Sequence, residues 1–269
     1  MLRRKVQRLI CKSNQNLLYK IPANTLFIGQ RLVFVPECPS TNSLALELSA
    51  KSILPEGTVI ITSNQTAGRG QRGNTWKTSE GLNLTFSILL KPSFLKVNMQ
   101  FYLTIATSLA VQDFLKSKNV DDTRIKWPND ILVGRKKICG TLIENSIQGE
   151  SIQQSIVGIG LNINQTDFEL ASATSLATIK QESSDLNEVL NLLLGQLEKR
   201  YLQLRSGKLA ELKDEYLLNL FGIGEKRIFV SHEKKFEGTI ENVSESGELI
   251  VLINNNRTSF NLKEISLVL

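Results

Sequence analysis

Apolar and polar residues alternate at period two over residues 82–90, Leu-Asn-Leu-Thr-Phe-Ser-Ile-Leu-Leu, which predicts a β-strand. A different spacing follows. Leu103, Ala106, Leu109, Ala110 and Phe114 recur three and four residues apart, which predicts a helix over 100–116. Upstream, residues 31–35 and 59–62 read as short strands. Between them Leu44, Ala45 and Leu48 suggest a helix that Ser40 or Thr41 can cap. Residues 124–127, 131–133, 137–146 and 155–163 then give four strand signals in succession, with turn chemistry at Asn129-Asp130 and Gly134-Arg135. Amphipathic helices are expected over 186–204 and 209–220, separated by Ser206-Gly207. Gly222-Ile223-Gly224 breaks that pattern. Short strands are expected after it, at 227–230, 236–243, 248–253 and 258–262, with turns at 244–247 and 254–256. So many short strands in succession predict a small barrel. The pattern as a whole predicts an α+β body, a mixed sheet backed by helices, then a small C-terminal β-barrel. The boundary falls near residue 221: an arm over 1–20, a main domain over 21–221 and the barrel over 222–269.

Charge changes this picture at one end only. The net charge is +6. Residues 1–20 hold Arg3, Arg4, Lys5, Arg8, Lys12 and Lys20 and no acid, so the excess sits in that arm and the body is neutral. A basic arm can bind nucleic acid or an anionic surface, or be a solvated tail. Apolar residues make up 41% of the chain, enough for a sizeable core, yet no run approaches the length that spans a bilayer. No apolar leader with a cleavage site is evident at the N-terminus. Cys11, Cys38 and Cys139 are odd in number and scattered, which suits reduced thiols in a cytoplasm and no metal site. The single histidine, His232, sits in a charged turn, which argues against a Ser-His-Asp or Cys-His hydrolase.

Candidate chemistry concentrates in Gly68-Arg69-Gly70-Gln71-Arg72-Gly73-Asn74-Thr75-Trp76. Glycine lets backbone N–H groups approach an anion, arginine brings a planar charged fork, and tryptophan offers a flat face. The run is neither a Walker A loop nor a dinucleotide fingerprint. Alone, it reads equally well as a polar turn. Further blocks are Lys126-Trp127-Pro128-Asn129-Asp130, Lys137-Ile138-Cys139-Gly140 leading to Glu144, and Gly158-Ile159-Gly160-Leu161-Asn162. With Ser40-Thr41-Asn42 and Gln65, these blocks in this order resemble the biotin protein ligases (biotin–acetyl-CoA-carboxylase ligases). The likeness runs from about residue 33 to the C-terminus.

The resemblance implies a catalytic domain of the class II synthetase and biotin ligase kind with an SH3-like barrel. It implies an ATP-dependent ligase that activates biotin as biotinyl-5′-AMP. The biotinyl group then passes to a lysine of the biotin carboxyl carrier domain of acetyl-CoA carboxylase or a related carboxylase. Arg69 and Lys137 are the expected catalytic cations. Ser40, Thr41, Asn42, Gln65, Arg69, Gly70, Gln71, Lys137, Gly140, Gly158 and Gly160 are expected to hold biotin. Arg69, Arg72, Asn74, Trp76, Lys126, Asn129, Asp130, Lys137 and Asn162 are expected to hold ATP, with Trp76 near the adenine. Asp130 is expected to hold Mg²⁺, directly or through water. Ser40, Thr41, Asn42 and Gln65 suit a buried ureido ring, being neutral donors and acceptors, although a helix cap also uses such residues.

Two departures from the family pattern stand out. The family loop reads Gly-Arg-Gly-Arg-x-Gly-Arg-x-Trp, whereas Gln71 and Asn74 replace its second and third arginines here. The stretch before Ser40 is too short for the winged-helix DNA-binding domain of bifunctional relatives, so no specific DNA partner is expected. A cytoplasmic enzyme without membrane attachment is expected, with an exposed sheet edge as a route to a homodimer. Two rivals remain: a lipoate or octanoate ligase or transferase of the same fold, and a regulatory nucleic-acid-binding protein using the basic arm.

Overall fold

Strand signals from residue 31 to residue 163 become one sheet. The computed structural model describes residues 19–262 and 264–268, with the side chain of Arg72 outside that description. Of the basic arm, only Tyr19 and Lys20 fall within the described residues, and Cys11 lies outside them. The chain runs through β1 (Leu32–Cys38), α1 (Thr41–Lys51), β2 (Val59–Gln65), β3 (Leu84–Leu90) and α2 (Phe101–Ser117). It continues through β4 (Thr123–Lys126), β5 (Asp130–Val133), β6 (Lys136–Gln148) and β7 (Ser151–Leu161). Then come α3 (Leu176–Lys180), α4 (Leu186–Arg205) and α5 (Leu209–Leu218). The sheet order is β1-β2-β3-β7-β6-β5-β4, with β1 and β2 parallel and the other pairs antiparallel.

Alternation along the strands sorts the core into two clusters. Val59, Ile61, Phe86, Ile88 and Val157 pack with Leu103, Leu109, Leu193 and Leu197 of α2 and α4. Their neighbours in sequence, Ile60, Leu89 and Ile156, pack with Ala45 and Leu48 of α1. Asp185 starts α4 by accepting the Glu188 N–H at 2.8 Å, an N-cap with an acid in the first turn. Glu198 on the same helix accepts the N–H groups of Leu26, Phe27 and Ile28 at 2.6–2.8 Å and so fastens the approach to β1. No helix among the described residues is long and apolar enough to cross a membrane.

The second helix of the C-terminal pair is shorter than its apolar spacing suggests. It stops at Leu218 because the next residues pair with β4 instead. Ile125 N–H donates to Asn219 O at 2.9 Å, and Phe221 N–H donates to Ile125 O at 2.8 Å. That pairing caps the β4 edge with the same chain, leaving β1 as the other edge. Strand β7 ends at Leu161, although the Asn162 N–H still donates to Ile138 O at 2.9 Å, one step further along the β6 ladder. The short α3 and the final strand carry too few residues to show a period.

A second, antiparallel sheet of five strands follows, as expected for a small SH3-like barrel. Its strands are β8 (Lys226–Ser231), β9 (Lys234–Val243), β10 (Leu249–Ile253), β11 (Asn256–Phe260) and β12 (Ser266–Leu267), in the order β11-β10-β9-β8-β12. Two tight hairpins turn at His232-Glu233 and Asn254-Asn255, all four residues with positive φ. The barrel is fastened to the main sheet through Trp127, whose Nε1 donates to Gly247 O at 3.0 Å.

Three helices behind the sheet meet at one buried charge. Arg200 of α4 forks onto Asp113 of α2 at 2.7 and 2.9 Å and onto Glu215 of α5 at 2.6 Å twice, with its side chain 8% exposed. Arg200→Ala leaves two carboxylates facing each other and is expected to cost about 3 kcal/mol in urea unfolding. Arg200→Lys should recover only part of the loss, because one ammonium cannot fork to both partners.

Candidate functional site

Part of the sheet face that carries α1 is left without a helix, and the glycine-rich loop folds over it. The loop is a small hairpin: Gly70 N–H donates to Asn74 O at 2.7 Å, and Trp76 N–H donates to Gly68 O at 3.0 Å. Its tip is a single 3₁₀ turn over Gln71–Gly73. Arg69, Gly70, Gln71, Asn74 and Trp76 all line the pocket beneath it.

The floor has almost no side chains. A Cβ on Gly158 would fall 2.3 Å from Asn42 Oδ1, and one on Gly160 would fall 2.3 Å from Trp76 Cε2. Both positions require glycine, because any side chain would collide with what lies on the strand. Trp76 therefore rests on Gly160 and beside Gly140. Its Nε1 is buried without a hydrogen-bond partner among the described residues. Such an orphaned donor is costly unless a ligand satisfies it.

The neutral polar residues converge at one end. Gln65 Oε1 accepts from Thr41 N–H at 2.9 Å. Ser87 Oγ lies 2.7 Å from Thr41 Oγ1 and donates to Asn42 Oδ1 at 2.6 Å. Asn42 Nδ2 donates to Glu144 Oε2 at 2.7 Å and Leu142 O at 3.2 Å. Ser40 occupies the N-cap position of α1, but its hydroxyl makes no capping bond and lines the pocket. Capping therefore does not account for the presence of this serine.

Cations stand around the same space. Lys137 Nζ lies 2.6 Å from Asp130 Oδ1 and 5.4 Å from the centre of the Trp76 ring. Arg69 Nη2 lies 2.9 Å from Glu144 Oε2. Lys126, at the end of β4, lines the wall with Asn129 and Asp130. Asn129 donates to Thr141 O across β5 and β6. The three-residue turn Trp127-Pro128-Asn129 contains a cis Trp127–Pro128 bond and presents this group. Burial pushes the Cys139 thiol above its ordinary range, with Lys137 opposing and Asp130 adding to the shift, which favours the neutral thiol there.

Asn162 is not on the pocket wall. Its Nδ2 donates to Thr174 O at 3.0 Å. Residues 172–174 in turn clasp the Lys137 backbone, with Lys137 N–H on Ser172 O at 2.7 Å and Thr174 N–H on Lys137 O at 2.9 Å. Asn162 thus braces the strand that carries the lysine. The side chain of Arg72 lies outside the described residues. Sequence reasoning passed over Glu144 and Ser87, which hydrogen-bond to Asn42 from behind the pocket lining. It also passed over the wall where Phe221, just before the barrel, and Ile240, Leu249 and Ile265 of the barrel close one side. No local motif marks those apolar positions. Glu144 stands inside a recognised block, and its spacing from Lys137 on one strand was the available signal.

Among the described residues no three or more carboxylate, cysteine or histidine side chains cluster as a metal cage. Among the described residues Asp130 is the one carboxylate that lines the pocket. A magnesium ion commonly uses one or two carboxylates plus substrate phosphates, so this donor set fits a cation delivered with a nucleotide.

Residues 34–162 match the biotin/lipoate A/B protein ligase family. The chain is 32% identical over 260 residues to the bifunctional ligase/repressor BirA of Bacillus subtilis, covering 94% of this chain and 79% of that one. It is 30% identical over 227 residues to the biotin–[acetyl-CoA-carboxylase] ligase of Mycobacterium tuberculosis, covering 82% of each. A solved structure of biotin protein ligase from Aquifex aeolicus in complex with biotin and ATP aligns with a TM-score of 0.75 at 27% identity, covering 89% of this chain and 99% of that one.

The contact of Trp76 with the floor is open to direct test. Gly160→Ala places a methyl group where the indole lies. Its fluorescence emission is expected to shift to the red, with greater quenching by acrylamide. An unchanged spectrum would mean that the indole does not rest on Gly160.

Proposed function

Because the chain belongs to the biotin/lipoate A/B protein ligase family, we propose that it is a biotin–protein ligase using the pocket under the glycine-rich loop. Its main support is the convergence of Lys137 and Arg69 on one pocket with a neutral polar end. A carboxylate and a triphosphate repel each other, so fixed positive charge is the first catalytic requirement. The biotin carboxylate oxygen attacks the α-phosphorus of ATP, and pyrophosphate leaves. Lys137 and Arg69 hold the two anions together and stabilise the charge that builds on the phosphoryl oxygens. An acceptor lysine amine then attacks the carbonyl carbon of the mixed anhydride, and AMP leaves.

Ser40, Thr41, Asn42 and Gln65 are assigned to the ureido ring, whose donors and acceptor need partners once buried. Gly158 and Gly160 make room for Asn42 and Trp76, and Gly140 for Lys137 and the indole edge, so these side chains sit low enough for the ligand to lie over them. Gly70 and Gln71 cover it from the loop, and Asn74 and Arg72 belong to the nucleotide side. Trp76 supplies the flat wall between ring and nucleotide. Lys126 and Asn129 face the phosphates and Asn162 steadies Lys137. Asp130 would hold Mg²⁺, in part through water, and the bound ion neutralises phosphate charge. The acceptor is assigned as the carboxyl carrier domain of a biotin-dependent carboxylase.

Pyrophosphate exchange into ATP tests this reading: it is expected with biotin and absent with lipoate. Exchange driven by lipoate would move the chain to the other branch of its family. Lys137→Ala is expected to lower biotin-dependent exchange by about 10²-fold or more, with the fold retained in circular dichroism. Exchange near the wild-type rate would remove Lys137 from the mechanism.

Gln71 stands where relatives carry arginine, and it lines the pocket at the loop tip. A guanidinium on phosphate makes charge-assisted bonds worth roughly 1.5–3 kcal/mol each, and a neutral amide makes weaker ones. Gln71→Arg is therefore expected to slow release of biotinyl-AMP and to reduce stray biotin on a bystander protein. Equal or faster release would show that residue 71 does not face the phosphate.

A further inference from the structure

Glu144 is in direct contact with both Asn42 of the polar end and the loop arginine, Arg69. It lies on β6, the strand that also carries Lys137 and Gly140. A single carboxylate oxygen, Oε2, accepts from Asn42 Nδ2 at 2.7 Å and from Arg69 Nη2 at 2.9 Å. From Asn42 the contacts continue through Ser87 and Thr41 to Gln65 at the end of β2. The segment after β2 is the loop that carries Arg69. The polar floor and the loop thus form a closed circuit, and Glu144 is the link that joins its ends.

An exposed ion pair alone contributes little, and here the side chains are 45% and 28% exposed. The shared oxygen makes this pair different. Arg69 engages Glu144 through Nη2, and guanidinium has five donors in a planar fork. The other edge can meet an anion while Glu144 keeps its hold. A long side chain restrained at one nitrogen has fewer rotamers to lose when the ligand arrives.

We infer that Glu144 is a positioning residue that pins Arg69 over the bound adenylate and ties loop closure to the Asn42 end of the pocket. This rests on the reading of the pocket as the biotinyl-AMP site. Without the Glu144 charge, Arg69 still reaches the phosphate but spends less time there, so the intermediate escapes.

The test is the dissociation rate of preformed biotinyl-AMP, chased with unlabelled biotin, for wild type, Glu144→Gln, Arg69→Ala and the double variant. Glu144→Gln is expected to release the adenylate about tenfold faster, the equivalent of one charge-assisted hydrogen bond. In the Arg69→Ala background the same change should add almost nothing, because the residue that it positions is gone. Stray biotin on serum albumin should rise in parallel. A release rate unchanged in Glu144→Gln, or effects that multiply in the double variant, would overturn the inference, the second result marking a merely structural role. Glu144→Asp keeps the charge but withdraws it from the shared contact, so its release rate should fall between wild type and Glu144→Gln. It also carries the comparison should Glu144→Gln fail to fold. A wild-type chain that makes no adenylate from biotin and ATP would instead defeat the reading of the pocket itself.

Discussion

The structure is organised by a sheet face that is only partly covered. Helices α2 and α4 bury one side of the sheet along its length, and α1 covers part of the other. The remainder must stay open and yet not expose an apolar surface. Glycine at 158 and 160 solves this by removing side chains, so Asn42 and Trp76 can lie directly on the strand. The cost is weak local strand preference, since glycine packs nothing and orders poorly. Pairing on both sides offsets it: Gly158 sits between Ser87 and Leu142, and Gly160 between Thr85 and Gly140. Central placement in the sheet is what allows a floor of glycines to be rigid.

Charge follows the same logic. A pocket that must draw two anions together needs cations, but unpaired cations close together repel each other. Here Lys137 stands against Asp130 and Arg69 against Glu144. Each carboxylate pairs with one cation, and on the proposed reading the remaining donors meet the incoming anion. Backbone bracing supports the arrangement, because residues 172–174 clasp Lys137 and Asn162 holds Thr174. Lys137 and Asp130 thus stand on strands, and Arg69 stands on the loop.

The barrel also takes part in the site. Leu249 and Ile265 reach the pocket wall, and Trp127 Nε1 on Gly247 O fixes the barrel to the turn that presents Asn129 and Asp130. A shift of the barrel would therefore be felt at the turn that carries Asn129. Arg200 does the equivalent work behind the sheet, where it ties three helices to one another at some distance from the chemistry.

Much of this was legible in the chain itself. The period-two run at 82–90, the helical spacing at 100–116 and the glycine-rich, Lys-Trp-Pro-Asn-Asp and Lys-Ile-Cys-Gly blocks are local patterns, and local patterns record local preferences. The early end of α5 was not legible, because pairing of Asn219–Phe221 with β4 overrides an apolar period that favours helix. Nor were the position of Trp76 on Gly160, the link from Asn42 through Glu144 to Arg69, or the barrel residues in the wall. Each joins segments far apart in the chain, and each depends on the strand order that sets β3, β7 and β6 side by side. Sequence determined which residues were chemically able to bind an anion and a polar ring. Tertiary structure decided which of them share a pocket, because that follows from non-local strand pairing and from the face that no helix covers.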